Sequence, residues 1–129
     1  MSRNLTISII DDDEPVRAAI ENLVRSLGFG ATTFASAEEF LNSSGMKETS
    51  CVITDVNMPG MTGIELQSHL IAHGFDLPMI FITAYPEERT RQRVDAAGAV
   101  GFLSKPFDGG AMVRCIDKAL RRSDDPAER

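Results

Sequence analysis

The chain has 129 residues, 43% hydrophobic and 25% charged, which fits one ordinary globular domain with a real core and is too short for two. Its formal net charge of −6 argues against non-specific nucleic-acid binding, which needs basic surface, and no apolar run approaches the length of a membrane-spanning helix. Cys51 and Cys115 are too few for a disulfide framework or a zinc site and read as buried free thiols, and the N-terminus does not read as a secretory signal, so a cytoplasmic location is expected.

Residues 5–10 (LTISII) are apolar and β-branched, a first strand. Asp13 or Glu14 can cap the helix that follows, with Pro15 in its first turn, where a missing N–H costs nothing. Val16, Ile20, Leu23, Val24 and Leu27 then share one helical face, and Gly28 ends the helix. Residues 29–34 (FGATTF) form a weaker second strand. Ser36 and Glu39 have the spacing of a capping box for a second helix reaching about Asn42, followed by a loop at 43–45. Residues 51–54 (CVIT) read as a fully buried third strand with Asp55 at its end. A turn-rich loop, 57–63, precedes a third helix holding Ile64, Leu66, Leu70 and Ile71, closed by Gly74. Residues 79–82 (MIFI) make strand four, with Thr83 at its tip. Pro86 and Glu87 open helix four, which runs to about Ala97. Residues 100–103 (VGFL) make strand five, leading to Ser104, Lys105 and Pro106. Asp108 begins a last helix with Met112, Val113, Ile116 and Leu120 inward. Five βα units in strict alternation predict an α/β fold: a doubly wound parallel sheet with helices on both faces.

All strands of a parallel sheet end on one edge, so Asp11, Asp12, Asp55, Thr83 and Lys105 are expected in one cleft. Taken singly, each has an ordinary structural reading: turn, helix cap or loop. Gathered at one edge, the carboxylates suit a hard divalent cation such as Mg²⁺, which takes oxygen ligands. The cation relieves the mutual repulsion of the acids and neutralises an incoming phosphoryl group. Lys105 and Thr83 can meet further phosphoryl oxygens, and an aspartate can itself act as nucleophile to give an aspartyl phosphate.

Four segments carry a resemblance: IIDDDEPVR at 9–17, ITDVNMPGMTGIEL at 53–66, MIFITAY at 79–85 and AGAVGFLSKPF at 97–107. In this order and spacing they resemble the receiver domain of two-component response regulators, with wording most similar to the receivers of nitrogen-fixation transcription regulators. The resemblance implies a flavodoxin-like (βα)₅ fold with strand order 2-1-3-4-5, a receiver domain over residues 1–121 and a charged tail over 122–129. It implies that Asp55 is the phospho-acceptor, charged by a sensor histidine kinase or a histidine phosphotransfer protein. Asp11, Asp12, Asp55 and the backbone carbonyl of Asn57 would hold Mg²⁺, for which Mn²⁺ is a plausible substitute. Lys105 would contact the phosphoryl oxygens and Thr83 would report them to Phe102, the switch aromatic. Phe102 lacks the hydroxyl of the commoner tyrosine, which makes its switching weaker or purely steric. Asn57 and Tyr85 would tune dephosphorylation. The bond before Pro106 would be cis, a state ordinary X–Pro bonds adopt only about 5–6% of the time. Helix four, strand five and helix five would form the partner surface.

With no effector motif after Leu120, the expected protein is a stand-alone receiver that contacts a downstream protein, not nucleic acid or a membrane, with a phosphorylation-dependent homodimer as a further expectation. Three alternatives stay open: a degenerate receiver acting only as a binding module, the receiver piece of a DNA-binding regulator, and a phosphatase turning over at Asp55. The last lacks a second acid, because Asn57 stands where one is needed. His69 and His73 have a spacing that can bind zinc, but no third ligand is evident. Glu87, Glu88, Arg89, Arg91 and Arg93 form either a solvated face or a partner surface. Met58 and Met61, flanking the acceptor loop, suit adaptable contacts or plain loop packing.

Overall fold

The computed structural model describes residues 5–124. In chain order the elements are β1 (Thr6–Ile10), α1 (Glu14–Ser26), β2 (Gly30–Phe34), α2 (Ala37–Leu41), a 3-10 turn (Met46–Glu48), β3 (Cys51–Asp55), α3 (Gly63–Ala72), β4 (Met79–Thr83), α4 (Glu88–Ala96), β5 (Gly101–Ser104) and α5 (Gly109–Asp124). The five strands pair in parallel in the order β2-β1-β3-β4-β5, the flavodoxin-like arrangement expected. Every residue of β3 and β4 is buried, whereas β2 and β5, at the edges, are partly exposed. Burial on both faces explains why the central strands are continuous apolar runs.

Side-chain alternation divides the core in two. Ile7, Ile9, Ile53, Ile80 and Ile82 point to one face, where Ile20 and Val24 of α1 and Met112 and Ile116 of α5 cover them. Ile10, Val52, Met79 and Phe81 point to the other, against Phe40 of α2, Leu66 and Leu70 of α3 and Val94 of α4. On that second side α4 is thinly attached: Val94 is its one buried residue, and buried Gln67 of α3 donates to the Val94 carbonyl at 3.2 Å.

Several boundaries and contacts differ from expectation. β1 and β2 each begin one residue late, at Thr6 and Gly30, and β5 is shifted to Gly101–Ser104. Asp55 ends β3 as expected, paired with Ile82. Asp13 occupies the N-cap position of α1 without a side-chain cap bond; its N–H is instead taken by Asp11 Oδ1 at 2.8 Å. At α2, Ser36 accepts from the Glu39 N–H as expected, but the Glu39 carboxylate takes the Ala35 N–H, one residue earlier than a capping box requires. The complete capping box belongs to Thr62 and Glu65 of α3. Pro86 precedes α4, and Asp108 caps α5 from outside, accepting from Ala111 N–H at 2.9 Å. α5 continues to Asp124, past the boundary expected at 121, and the rest of the expected tail, 125–129, lies outside the described residues.

Three apolar helix residues are less buried than their sequence face suggests. Ile71 is 54% exposed because Leu66 and Leu70 already fill the inward stripe of α3. Leu27 stands at the α1 terminus and Val113 on the flank of α5, both at the rim of their layer. The cysteines also part company: Cys51 is fully buried, whereas Cys115 is half-buried on α5, its Sγ filling the space that Gly101 leaves without a side chain. Burial pushes the Cys51 thiol up to about 12. A thiolate is the reactive form, so iodoacetamide at neutral pH is expected to leave Cys51 unmodified in the folded protein. Cys115 reacts slowly under the same conditions, and both react in urea. Mass mapping of modified Cys51 from the native protein would contradict the packing of β3.

Candidate functional site

The carboxyl ends of β1, β3, β4 and β5 bring Asp11, Asp12, Asp55, Thr83 and Lys105 to one edge, as the alternation predicts. A carboxylate oxygen of each of Asp11, Asp12 and Asp55 lies within 4.8 Å of the others, with Asp11 and Asp55 buried and Asp12 exposed. Lys105 reaches across from the end of β5: its Nζ stands 2.9 Å from Asp11 Oδ2 and 3.0 Å from Asp55 Oδ2. The Lys105–Pro106 bond is cis.

The two lysine contacts are not equivalent. Lys105 donates a well-directed hydrogen bond to Asp55 Oδ2, whereas its ammonium meets buried Asp11 Oδ2 at 2.9 Å as an ion pair of poorer hydrogen-bond geometry. One ammonium shared between two buried carboxylates leaves Asp11 Oδ2 under-satisfied, which is costly. With carboxylate oxygens of Asp12 and Asp55 close by, the group fits a hard cation that takes oxygen ligands. Asp11, Asp12 and Asp55 are thus the residues present that could hold Mg²⁺.

Burial of Asp11 pushes its carboxyl pKa above the ordinary 3.8 and the charge of Asp55 adds to the rise, while Lys105 and the Asp13 N–H pull it back only in part. Lys105 loses hydration, but its bonds and attraction to Asp11 and Asp55 outweigh that loss and hold its pKa above the usual 10.5. A carboxyl whose pKa is raised on folding contributes stability below its unfolded pKa and loses it as pH rises through the folded value. In metal-free buffer, therefore, Asp11→Asn is expected to be more stable than wild type at pH 7. The gap should shrink as pH falls toward 3.8, read by urea midpoints across that range.

Around this centre, Asn57 N–H donates to Asp55 Oδ1 at 3.2 Å, fixing the carboxylate from the loop side. Thr83 is fully buried, and its Oγ1 accepts from Tyr85 N–H at 3.0 Å. Because Oγ1 is used as an acceptor, its own proton stays available for donation. The Tyr85 ring is 71% exposed beside the mouth, and the Asn57 side chain is also exposed. Phe102 pairs in register with Phe81 and is half-buried on the α4 side of the sheet. Met58 is buried in the core while Met61 is only partly covered.

His69 and His73 are elsewhere, stacked at 4.1 Å on α3. Among the described residues, the aspartates are the one convergent group of three or more metal-ligating side chains, so the histidine pair has no third protein ligand. Three contributors escaped sequence reasoning. Arg17 donates from Nη1 to the Asp11 carbonyl at 2.7 Å. Glu38 accepts from Met61 N–H at 3.0 Å. Gly63 starts α3 directly against the Asp55 carbonyl. Nothing in local periodicity marks the first two, although the glycine at a helix start is a visible anomaly.

Residues 7–117 match the response regulator receiver domain family. The chain belongs to that family. The transcriptional regulatory protein FixJ of Azorhizobium caulinodans is 35% identical over 123 residues, spanning 95% of this chain and 58% of that protein. The response regulator protein TmoT of Ectopseudomonas mendocina is 38% identical over 115 residues, spanning 89% of this chain and 52% of its own length. Among solved structures, the response regulator StyR superposes with a TM-score of 0.87 at 39% identity, covering 94% of this chain and 61% of that one. FixJ-N superposes with a TM-score of 0.81 at 31% identity, covering 93% and 96%. The chain thus spans little more than half the length of the curated relatives it matches. Receiver domains are signalling switches that partner histidine kinases and bind Mg²⁺ at an acidic cluster, and the aspartate group here occupies the corresponding sheet edge. Among the described residues no helix is long and apolar enough to cross a membrane.

Proposed function

We propose that this receiver accepts a phosphoryl group on Asp55 from a phosphohistidine of a sensor kinase or phosphotransfer protein. The observation that carries the reading is the pair of contacts on Asp55. Lys105 holds Oδ2 and the Asn57 N–H holds Oδ1, so both oxygens of the carboxylate are held in a fixed orientation beside the buried Asp11. A carboxylate oxygen attacks phosphorus as the P–N bond to the donor imidazole breaks, leaving an aspartyl phosphate and a neutral donor histidine after protonation. Asp11, Asp12, Asp55 and the Asn57 carbonyl would hold Mg²⁺, or Mn²⁺ in its place. The ion supplies charge neutralisation for the transferring group.

Lys105 then shifts its ammonium to a phosphoryl oxygen, and Thr83 turns its hydroxyl proton toward another. Phe102, half-buried next to Phe81, follows Thr83 inward by steric means. α4 buries Val94 alone and Gln67 of α3 bonds that residue's carbonyl; such a thin attachment suits repacking, which supports α4, β5 and α5 as the partner face. Asn57 and Tyr85 flank the mouth and would set access of water to the aspartyl phosphate. The same face would serve a downstream protein or a second phosphorylated copy. A cytoplasmic setting follows from the kinase partner.

Incubation with acetyl phosphate or phosphoramidate and Mg²⁺ tests this by intact mass. Wild type is expected to gain one phosphoryl group, and none when EDTA is present from the start. Asp55→Asn gains none. An equal gain by the variant would place the chemistry elsewhere, and no gain by wild type with any donor, a cognate kinase included, would leave a binding module.

A further inference from the structure

The loop after Asp55 must present the Asn57 backbone to the site, yet most of its own bonds are local. Asn57 N–H binds Asp55, Gly63 N–H binds the Val56 carbonyl at 2.9 Å, and Thr62 N–H binds Glu65 of the helix it opens. Among the described residues, the bond that ties residues 57–61 to a distant part of the chain is the one from Met61 N–H to Glu38 Oε2, 23 residues away at 3.0 Å. Glu38 is itself exposed but stands between two anchoring residues. Its helix, α2, is anchored by Ala37 and Phe40, both fully buried, and Phe40 packs edge-on against Phe34 with ring centroids 5.4 Å apart.

The approach of this carboxylate to the loop is tight. A Cβ on Gly60 would stand 2.6 Å from Glu38 Oε2, and Gly60 has φ +74. The loop backbone at this point therefore both turns in a conformation suited to glycine and leaves the space that the carboxylate fills. Buried Met58 pins the same loop from below, so it is gripped between the core and α2.

We infer that Glu38 is a positioning residue for the phosphorylation site: by holding Met61 N–H it fixes the acceptor loop, and with it the Asn57 carbonyl, in the geometry that binds the metal. The inference rests on the metal-dependent reading of Asp55 given above. Glu38 touches neither the metal ligands nor the phosphoryl group and acts through the loop alone.

The test compares wild type, Glu38→Ala and Glu38→Gln by calorimetric Mg²⁺ titration, with amide hydrogen exchange at Met61 and urea midpoints on the same samples. Glu38→Ala is expected to weaken Mg²⁺ binding roughly fivefold, the equilibrium worth of about one net hydrogen bond, and to speed exchange at Met61. Glu38→Gln keeps a carbonyl acceptor and is expected to restore most of the affinity. A merely structural role would lower the urea midpoint and leave the Mg²⁺ affinity of the folded fraction unchanged. That result, or equal affinity in all three proteins, overturns the inference while leaving the reading of Asp55 intact. A wild type that binds no Mg²⁺ overturns that reading, and the role of Glu38 with it.

Discussion

Gly63→Ala is expected to destabilise the domain by about 2 kcal/mol, within the range of overpacked sites, and to slow phosphoryl uptake at Asp55. At an ordinary helix position the same change is favourable by up to about 1 kcal/mol, because alanine is the better helix former. The sign reverses here because of what the new methyl group meets. A Cβ at Gly63 would run into the Asp55 carbonyl oxygen, with the Asp55 carbonyl carbon and Val56 Cα each 3.2 Å away. These are backbone atoms at the end of a central strand. Val56 N–H is bonded to the Ile82 carbonyl at 2.9 Å, so the strand cannot retreat without loosening the sheet. Helix α3 must move instead, stretching the Gly63 N–H to Val56 carbonyl bond that closes the acceptor loop. The displacement begins eight residues from Asp55 in sequence but touches its own carbonyl in space. A lower urea midpoint with an unchanged slope, together with slower mass gain from phosphoramidate, is the expected outcome. A variant as stable as wild type would show that α3 has room to shift.

Lys105→Met is expected to cost about 3 kcal/mol in metal-free buffer, at the lower end for breaking a buried pair because the lysine keeps some exposure. Its side chain is 15% exposed and lies against Asp11 and Asp55, whose side chains are 0% and 7% exposed. Methionine matches the volume and removes the charge, leaving two neighbouring carboxylates with no cation between them. Saturating Mg²⁺ should return a large part of the loss, since the ion takes over the compensation. The pH dependence follows from the raised pKa of Lys105, because such a group contributes stability below its unfolded value and loses it as pH rises through the folded one. The gap between wild type and variant should therefore hold steady up to about pH 10.5 and close above it. It should also narrow in acid once Asp11 is protonated. Urea titrations with and without Mg²⁺ read all three features, and a variant as stable as wild type without metal would mean that the carboxylates are not both ionised there.

Much of this architecture could be read before any coordinates. The five strands, their parallel order and the gathering of Asp11, Asp55, Thr83 and Lys105 at one edge all agree with expectation. The misses share a cause. Asp13 or Glu14 is expected to cap α1 because an acid before a helix commonly does so, but Asp13 stands at the N-cap without a side-chain bond, its own N–H held by Asp11 from two residues back. Spacing pairs Glu39 with Ser36, yet its carboxylate accepts from the Ala35 N–H. Helical period alone turns Ile71 and Val113 inward, but it cannot say how wide a stripe the neighbouring layer covers. Residue type predicts a buried Cys115, but it is only half-buried on α5, its Sγ lying where Gly101 carries no side chain.

Periodicity is a local property, and it settled what periodicity can settle: which segments are strands, which faces are apolar, and which polar residues stand at strand ends. The alternation of Ile7, Ile9 and Ile10, or of Val52 and Ile53, assigns each side chain to a layer without knowledge of any partner. Contacts between segments far apart in the chain are not encoded that way. That Lys105 bridges to Asp55 across 50 residues, that the same ammonium is shared with buried Asp11 Oδ2, that Gly63 lies on the Asp55 carbonyl and that Glu38 grips the acceptor loop are consequences of layer spacing and side-chain reach. Those distances arise only when the sheet and both helical layers have packed, because a hydrogen bond or a steric limit changes sign within about an ångström, far finer than any repeat in the sequence.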